Sequence, residues 1–523
     1  LAGSTRTTDV QCPFCCHKVK SVPGLKTHIN NKLPCRAAIT EILAKEGVAP
    51  PDIPAGAATV AVNPALRLAD TRVATRPAAA SSQAKAEALS SAWAWAASLN
   101  PESLPLYDMM QSARRLPRSL QQDFDLMVAM VLSRLNVDPH DVAANNIMFL
   151  IPRIVLRRDP AKGDTAHNSG RTDYLNHLRE YAEAMPAGDC LKMRIERFKN
   201  GDWECLFDDY LRAAEVQRRH RAGLGDGRSS DAALRMHAFQ KADRLVGSNE
   251  LSRGANAIIN TSRAEKDASF AAGCLRAKHG IEGGLTEEEA IELNVLLADP
   301  GAPPLQIDED SWNWALTHIS RGAAPGPSDW SLELWKDVCA DANISTSLRA
   351  FANAAFCKDQ LPLPLTELWG ACNTVGLTKK LGGLRPISMG DTLRRLTGKA
   401  AIRQLREKAA SHLKPYQWGV STSRGCATIA HSARDYLRRH PNHVLLKLDI
   451  SNAFNSQSRG SFLSAVAINF PELLPLVAQF YRVPTTLYIR GKDATCTILS
   501  VSGQQQGDTM GPLLFALGLQ PAL

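Results

Sequence analysis

Asp449 closes an apolar run in which Val444, Leu446, Leu448 and Ile450 fall on one side of a two-residue repeat, and Leu445, Lys447 and Asp449 on the other. That alternation predicts a strand with one face in a core and the other toward a cleft. An ionised carboxylate at the mouth of such a strand is costly to desolvate unless a metal ion, another cation or water compensates it. Asp449 is therefore either a ligand carboxylate or an Asp that ends a strand by capping the next turn. Phe454 follows five residues later.

A second set of residues has the chemistry of a tetrahedral metal site. Cys12-x2-Cys15-x12-His28-x6-Cys35 carries the ligand spacing of a small zinc finger, with Cys35 in place of the usual second His. Val19 and Leu25 fit the two apolar positions under the metal, and Pro23-Gly24 turns the chain into the helix carrying His28. Cys16 and His17 are poorer candidates because they adjoin Cys15. A finger this small builds too little core to fold alone, so zinc would supply its folding free energy.

Two glycine-containing segments complete the inventory. Thr374 to Ser388 reads as two short strands about a Gly382-Gly383 turn, with Lys379, Lys380 and Arg385 near its tip and base. Three cations there either clamp phosphates, Arg through its rigid fork and Lys as a point charge, or make a solvated basic hairpin. Downstream, Gly503-Gln504-Gln505-Gln506-Gly507-Asp508 enters an apolar stretch from Gly511 to Leu517, predicted as a buried helix with Pro512 in its first turn. Burying that helix holds the glycine loop against whatever occupies the cleft. A loop of this kind is more often a tight turn than a ligand site.

In this order the segments resemble the reverse transcriptase domain of non-LTR retrotransposons, particularly the site-specific kind with an N-terminal zinc finger. The resemblance rests on Gly382-Gly383-Leu384-Arg385-Pro386-Ile387, on Asp449 with Phe454, and on Gln506-Gly507-Asp508 followed by Gly511-Pro512-Leu513-Leu514. Smaller echoes are Gly322 to Ser328, Arg394-Arg395-Leu396 and Gly419-Val420. It implies that Arg385, with Lys379 as companion, contacts the incoming triphosphate. It also implies that Asp449 is the first catalytic aspartate, that Phe454 senses the sugar, and that Gln506 and Gly507 lie beside the bound nucleotide. The implied activity is RNA-directed DNA synthesis from a nicked target primer, with an RNA template, a DNA target and deoxynucleoside triphosphates as partners.

Nucleotidyl transfer of this kind uses two cations. Hard oxygen donors suit Mg²⁺, and Asp449 with the Ile450 carbonyl would supply part of the cage. The family completes the site with an Asp-Asp pair on a later hairpin, and no Asp or Glu follows Asp508. The chain opens on Leu1 and stops at Leu523, so the expectation is a fragment inactive on its own. The earlier pair Asp208-Asp209 stands in the wrong order and reads as solvated.

The fold expected is α+β: a ββα zinc finger over 1–45, an Ala/Pro/Ser-rich linker over 46–100, a helical extension over 101–320, and polymerase fingers with a partial palm over 321–523. Residues 1–45 carry seven Lys or Arg against two acids, the footprint of a domain that meets phosphate backbones, although finger folds also bind proteins. Arg153, Arg157 and Arg158 either touch RNA or form a solvated helix face.

The net charge of +9 over 523 residues favours a polyanionic partner, and twelve cysteines, four within the first 35 residues and the rest scattered, do not look like a disulfide framework. With no secretory signal or long apolar run, a reducing compartment is expected, the nucleus for this family, and no membrane partner. A nucleic-acid-binding protein without catalysis is the rival reading. An RNA-dependent RNA polymerase shares the chemistry but fits Phe454 poorly.

Overall fold

The computed structural model describes residues 10–11, 18–19, 82–101, 104, 112–157, 187–223, 236, 239–240, 242–243, 246, 264–280, 284–319, 322–379, 382–491 and 495–523. They belong to two compact units, Leu1–Pro77 and Ala78–Leu523. In the first, β1 (Val10–Gln11) and β2 (Lys18–Val19) pair antiparallel, Val10 opposite Val19. The expected zinc ligands Cys12, Cys15, His28 and Cys35 lie outside the described residues.

The second unit contains a four-stranded mixed sheet in the order β4-β3-β5-β6, set among helices. β3 (Cys372–Thr378) pairs antiparallel with β4 (Leu384–Gly390) and parallel with β5 (Thr485–Arg490), which pairs antiparallel with β6 (Thr495–Ser500). The β3–β4 hairpin is the one the sequence predicts. Gly382 and Gly383 hold φ of 89° and 78°, a left-handed turn that a Cβ would strain, and the Lys379 amide closes it on the Gly383 carbonyl at 2.9 Å. The register places Arg385 opposite Leu377.

One face of the sheet is covered by the helix Ala268–Arg276. Asp267 caps it by accepting from the amides of Ser269 and Phe270. Ala268, Ala271, Ala272 and Leu275, one stripe at helical spacing, are buried in it, and the last three pack against Cys372, Leu384, Leu487, Ile489 and Ile498. Just upstream, Ala264 bridges to Leu377 on β3. This helix lies within the expected extension, yet it packs on the sheet, so the expected boundary at residue 320 does not separate the two.

The larger core joins Gln121–Val137 and Val142–Ile154 to a group of buried tryptophans. Trp330 stacks on Trp335 at 4.0 Å and donates to the Met148 carbonyl at 2.7 Å, while Trp369 donates to Asn145 at 2.8 Å.

Four expectations need correction. Residues 82–98, read as the end of a linker, form a helix whose Ala92 and Ala96 are buried; alanine-rich composition suits a helix as well as a tether. Arg153 is neither solvated nor free for RNA, because it is buried and donates to the Pro327 carbonyl and the Tyr210 hydroxyl. Asp209 is ion-paired rather than simply solvated, 2.8 Å from Arg197. Residues 444–450 form no strand: Val444 is 93% exposed and Leu448 78%. Alternation permits a strand, but only a neighbour offering a ladder makes one.

Candidate functional site

The downstream glycine loop is stitched to both sequence elements that precede it. The Gly503 amide donates to the Gln457 carbonyl at 2.9 Å, and the Gln504 amide to the Phe454 carbonyl at 2.7 Å. Two residues on, the Gln506 carbonyl accepts from the Ser388 amide on β4 at 2.8 Å. Gly507 follows at φ 132°, and a Cβ there would stand 2.2 Å from the Ser388 carbonyl oxygen, so only glycine permits this approach. Gln506-Gly507 is thereby fixed on the strand that carries Arg385. Gln506 is half-buried, and Arg385 and Lys379 are exposed.

Asp508 is held inside. Its Oδ2 lies 2.7 Å from Arg394 Nη2, with side chains 3% and 2% exposed, and it also accepts from the Tyr481 hydroxyl. Its Oδ1 accepts from the Met510 amide at 2.9 Å. Arg394 comes from the helix Thr392–Gln404, capped by buried Asp391, and it reaches the Gln505 side chain at 2.8 Å and the Gly370 carbonyl at 3.0 Å. Its guanidinium lies 4.4 Å from the centroid of the Phe480 ring. Burial, the largest single effect, lowers the Arg394 pKa, but the charge and hydrogen bond of Asp508 together with Tyr481 and Cys372 outweigh it and raise that pKa above its ordinary value. Burial raises the Asp391 pKa, opposed by a hydrogen bond from Ser328 in the 322–328 loop.

Phe454 lies in the short helix Ala453–Ser456, half-buried, its ring stacked on Phe515 of the helix Gly511–Leu519 at 5.2 Å. The segment is pinned from the other side by the turn after Ala268–Arg276. Asn452 donates to the Lys278 carbonyl at 2.8 Å, and Asn455 meets His279 Nδ1 at 3.0 Å. Burial first, then the charges of Arg459 and Lys278, pull the His279 pKa down to about 4. His279 is therefore neutral at pH 7, and with the Asn455 amide nitrogen donating, Nδ1 is the acceptor.

The structure thus ties the Arg385 strand, Gln506-Gly507 and Phe454 together through hydrogen bonds, and among the described residues Asp449 and Ile450 are not part of that network. Both are exposed, and Asp449 makes no hydrogen bond or ion pair among the described residues. Nor do the described residues contain a group of three or more His, Cys, Asp or Glu able to hold a metal ion. This donor set does not fit a two-cation site, which needs ions about 3.5–4 Å apart between shared ligands.

Sequence reasoning missed the Lys278-His279 turn and the part played by Tyr481, and it placed Arg394 only as a minor motif residue. Their partners lie far along the chain, and the Arg-Arg-Leu triplet was the only local signal. Among the described residues, no helix is long and apolar enough to cross a membrane.

Residues 377–523 match the family model for reverse transcriptase (RNA-dependent DNA polymerase). The chain is similar to the retrotransposable element SLACS 132 kDa protein of Trypanosoma brucei gambiense, at 28% identity over 228 residues. The similarity covers 42% of this chain and 19% of that protein, so the chain spans only a small part of its relative's length.

Proposed function

We propose that residues 377–523, a reverse transcriptase domain by family match, form the nucleotide-binding part of an RNA-directed DNA polymerase of a retrotransposon, working by target-primed synthesis. The observation that carries the reading is the docking of Gln506-Gly507 on the strand of Arg385, through the Ser388–Gln506 hydrogen bond at 2.8 Å. A basic fork and a glycine backbone, both carried on or against β4, would then flank the nucleotide. Arg385 would grip phosphate through its planar donors, with Lys379 as a point charge, and the glycine lets backbone approach the nucleotide. Asp449 is proposed as one of the catalytic carboxylates. The further carboxylates that Mg²⁺ chemistry requires are not among residues 509–523, which contain no acid.

Phe454 is proposed to select the sugar. Its carbonyl anchors the Gln504 amide and its ring rests on Phe515, so its position relative to Gln506-Gly507 is set by packing. A ribose 2′-hydroxyl against an apolar ring loses solvation and meets a steric wall. In a chain extended through a strand hairpin carrying an Asp-Asp pair, Phe454→Val should admit ribonucleotides while largely sparing deoxynucleotide use. Primer extension with each substrate reads this directly. An equal loss of both activities would assign Phe454 to packing alone.

The N-terminal segment is proposed as a zinc finger with Cys12, Cys15, His28 and Cys35 as ligands. β1 and β2 pair on either side of the sequence that contains Cys12 and Cys15. The full chain should carry one zinc ion and lose it on Cys15→Ser. Metal analysis giving no zinc in the unaltered chain would refute the assignment.

A further inference from the structure

We propose that Lys278 is a third cation of the triphosphate site, reaching the incoming nucleotide from the turn that follows the helix Ala268–Arg276 and acting with Lys379 and Arg385. The inference rests on the nucleotide-binding reading above. Lys278 lies outside the segment matched by the family model, which begins at residue 377.

Its backbone is fixed on three sides. The helix before it is clamped to the sheet through Ala271, Ala272 and Leu275. The Lys278 carbonyl accepts from Asn452 at 2.8 Å, and the neighbouring His279 carbonyl accepts from the amides of Val501 and Ser502 at 3.1 and 3.3 Å. From this base the half-buried side chain crosses to β4, where its ammonium donates to the Leu384 carbonyl at 2.7 Å. Leu384 adjoins Arg385 in sequence and faces Thr378 in the ladder, with Lys379 just past the end of β3, so the ammonium stands at the base of the basic turn.

Charge makes the placement informative. Lys278, Lys379 and Arg385 form no ion pair among the described residues. A lysine ammonium has three donors, and the Leu384 carbonyl takes one. Burial lowers the Lys278 pKa, and the nearby charge of Lys379 and, less strongly, Arg385 lowers it further. Like charges gathered without a counterion oppose one another, and a multiply charged anion reverses that cost. A triphosphate has oxygens enough to meet a fork and two point charges together.

The test measures binding of inorganic tripolyphosphate and of dTTP to the full chain by calorimetry. Lys278→Gln keeps a donor for the Leu384 carbonyl but removes the charge, and should weaken both ligands about tenfold, the loss of one charge-assisted hydrogen bond. Lys278→Arg should stay within about twofold, and the melting temperature of both variants should match that of the unaltered chain. In the unaltered chain, saturating tripolyphosphate should slow reductive methylation of Lys278 but not of Lys408, which is paired with Glu472. That arm needs no variant to fold. Undiminished binding by Lys278→Gln, with binding lost in Arg385→Ala, would make Lys278 a brace for the hairpin and leave the nucleotide reading standing. Undiminished binding by both variants would overturn the inference and the placement of the triphosphate together. Weaker binding of an RNA–DNA duplex with unchanged tripolyphosphate binding would assign the cation to a nucleic-acid backbone and overturn the inference.

Discussion

Asp508→Ala should destabilise the second unit by about 3–5 kcal/mol in urea unfolding, the range for removing one partner of a buried ion pair. The substitution leaves the guanidinium of Arg394, 2% exposed, without its carboxylate. It also removes the acceptor for the Tyr481 hydroxyl and for the Met510 amide. What is lost is mostly the cost of a stranded cation, because the intact pair offsets its own desolvation. Arg394→Met combined with Asp508→Leu should therefore recover most of the loss, a strongly non-additive result. A single-variant loss under about 1 kcal/mol, the value of a surface pair, would contradict the buried geometry. The same variant should loosen Gln506-Gly507 on β4, since Asp508 and the Gln505 side chain are the points at which Arg394 holds that loop.

The parts legible in the sequence are those whose signal is local. Gly382-Gly383 requires left-handed backbone wherever it lies, and the hairpin it implies has the expected strands. The 503–517 segment reads correctly for the same reason: glycine, then Pro512, then an apolar stretch gives a loop that enters a buried helix. The ladder that would have made a strand of 444–450 is non-local, and no neighbouring strand of the described sheet supplies it. Hydrophobic alternation records a capacity to pair but does not name a partner.

Charged residues were the least legible, because their roles depend on which chain segment they meet. Arg153 looked like part of a surface run, yet it reaches the Pro327 carbonyl, 174 positions away. Arg394 looked like half of a basic pair and meets Asp508, 114 positions away. Lys278 carried no motif at all, and only folding places it against Leu384. Asp449 is the reverse case: its motif was the clearest in the chain, yet it is exposed and no hydrogen bond or ion pair among the described residues ties it to the other site residues.

The polymerase assignment stands or falls on RNA-templated extension of a DNA primer by a chain continued past Leu523 through a strand hairpin carrying an Asp-Asp pair. Residues 1–523 alone should bind the same primer–template, with affinity falling steeply as salt rises, and should not extend it. The continued chain should incorporate deoxynucleotides. Arg385→Ala should lower kcat/KM by about 100-fold or more, in line with losing a preorganised group that meets transition-state charge. Asp449→Asn should abolish extension while leaving primer–template binding unchanged. Extension at the unaltered rate in either variant, or no RNA-templated extension by the continued chain itself, would refute the assignment.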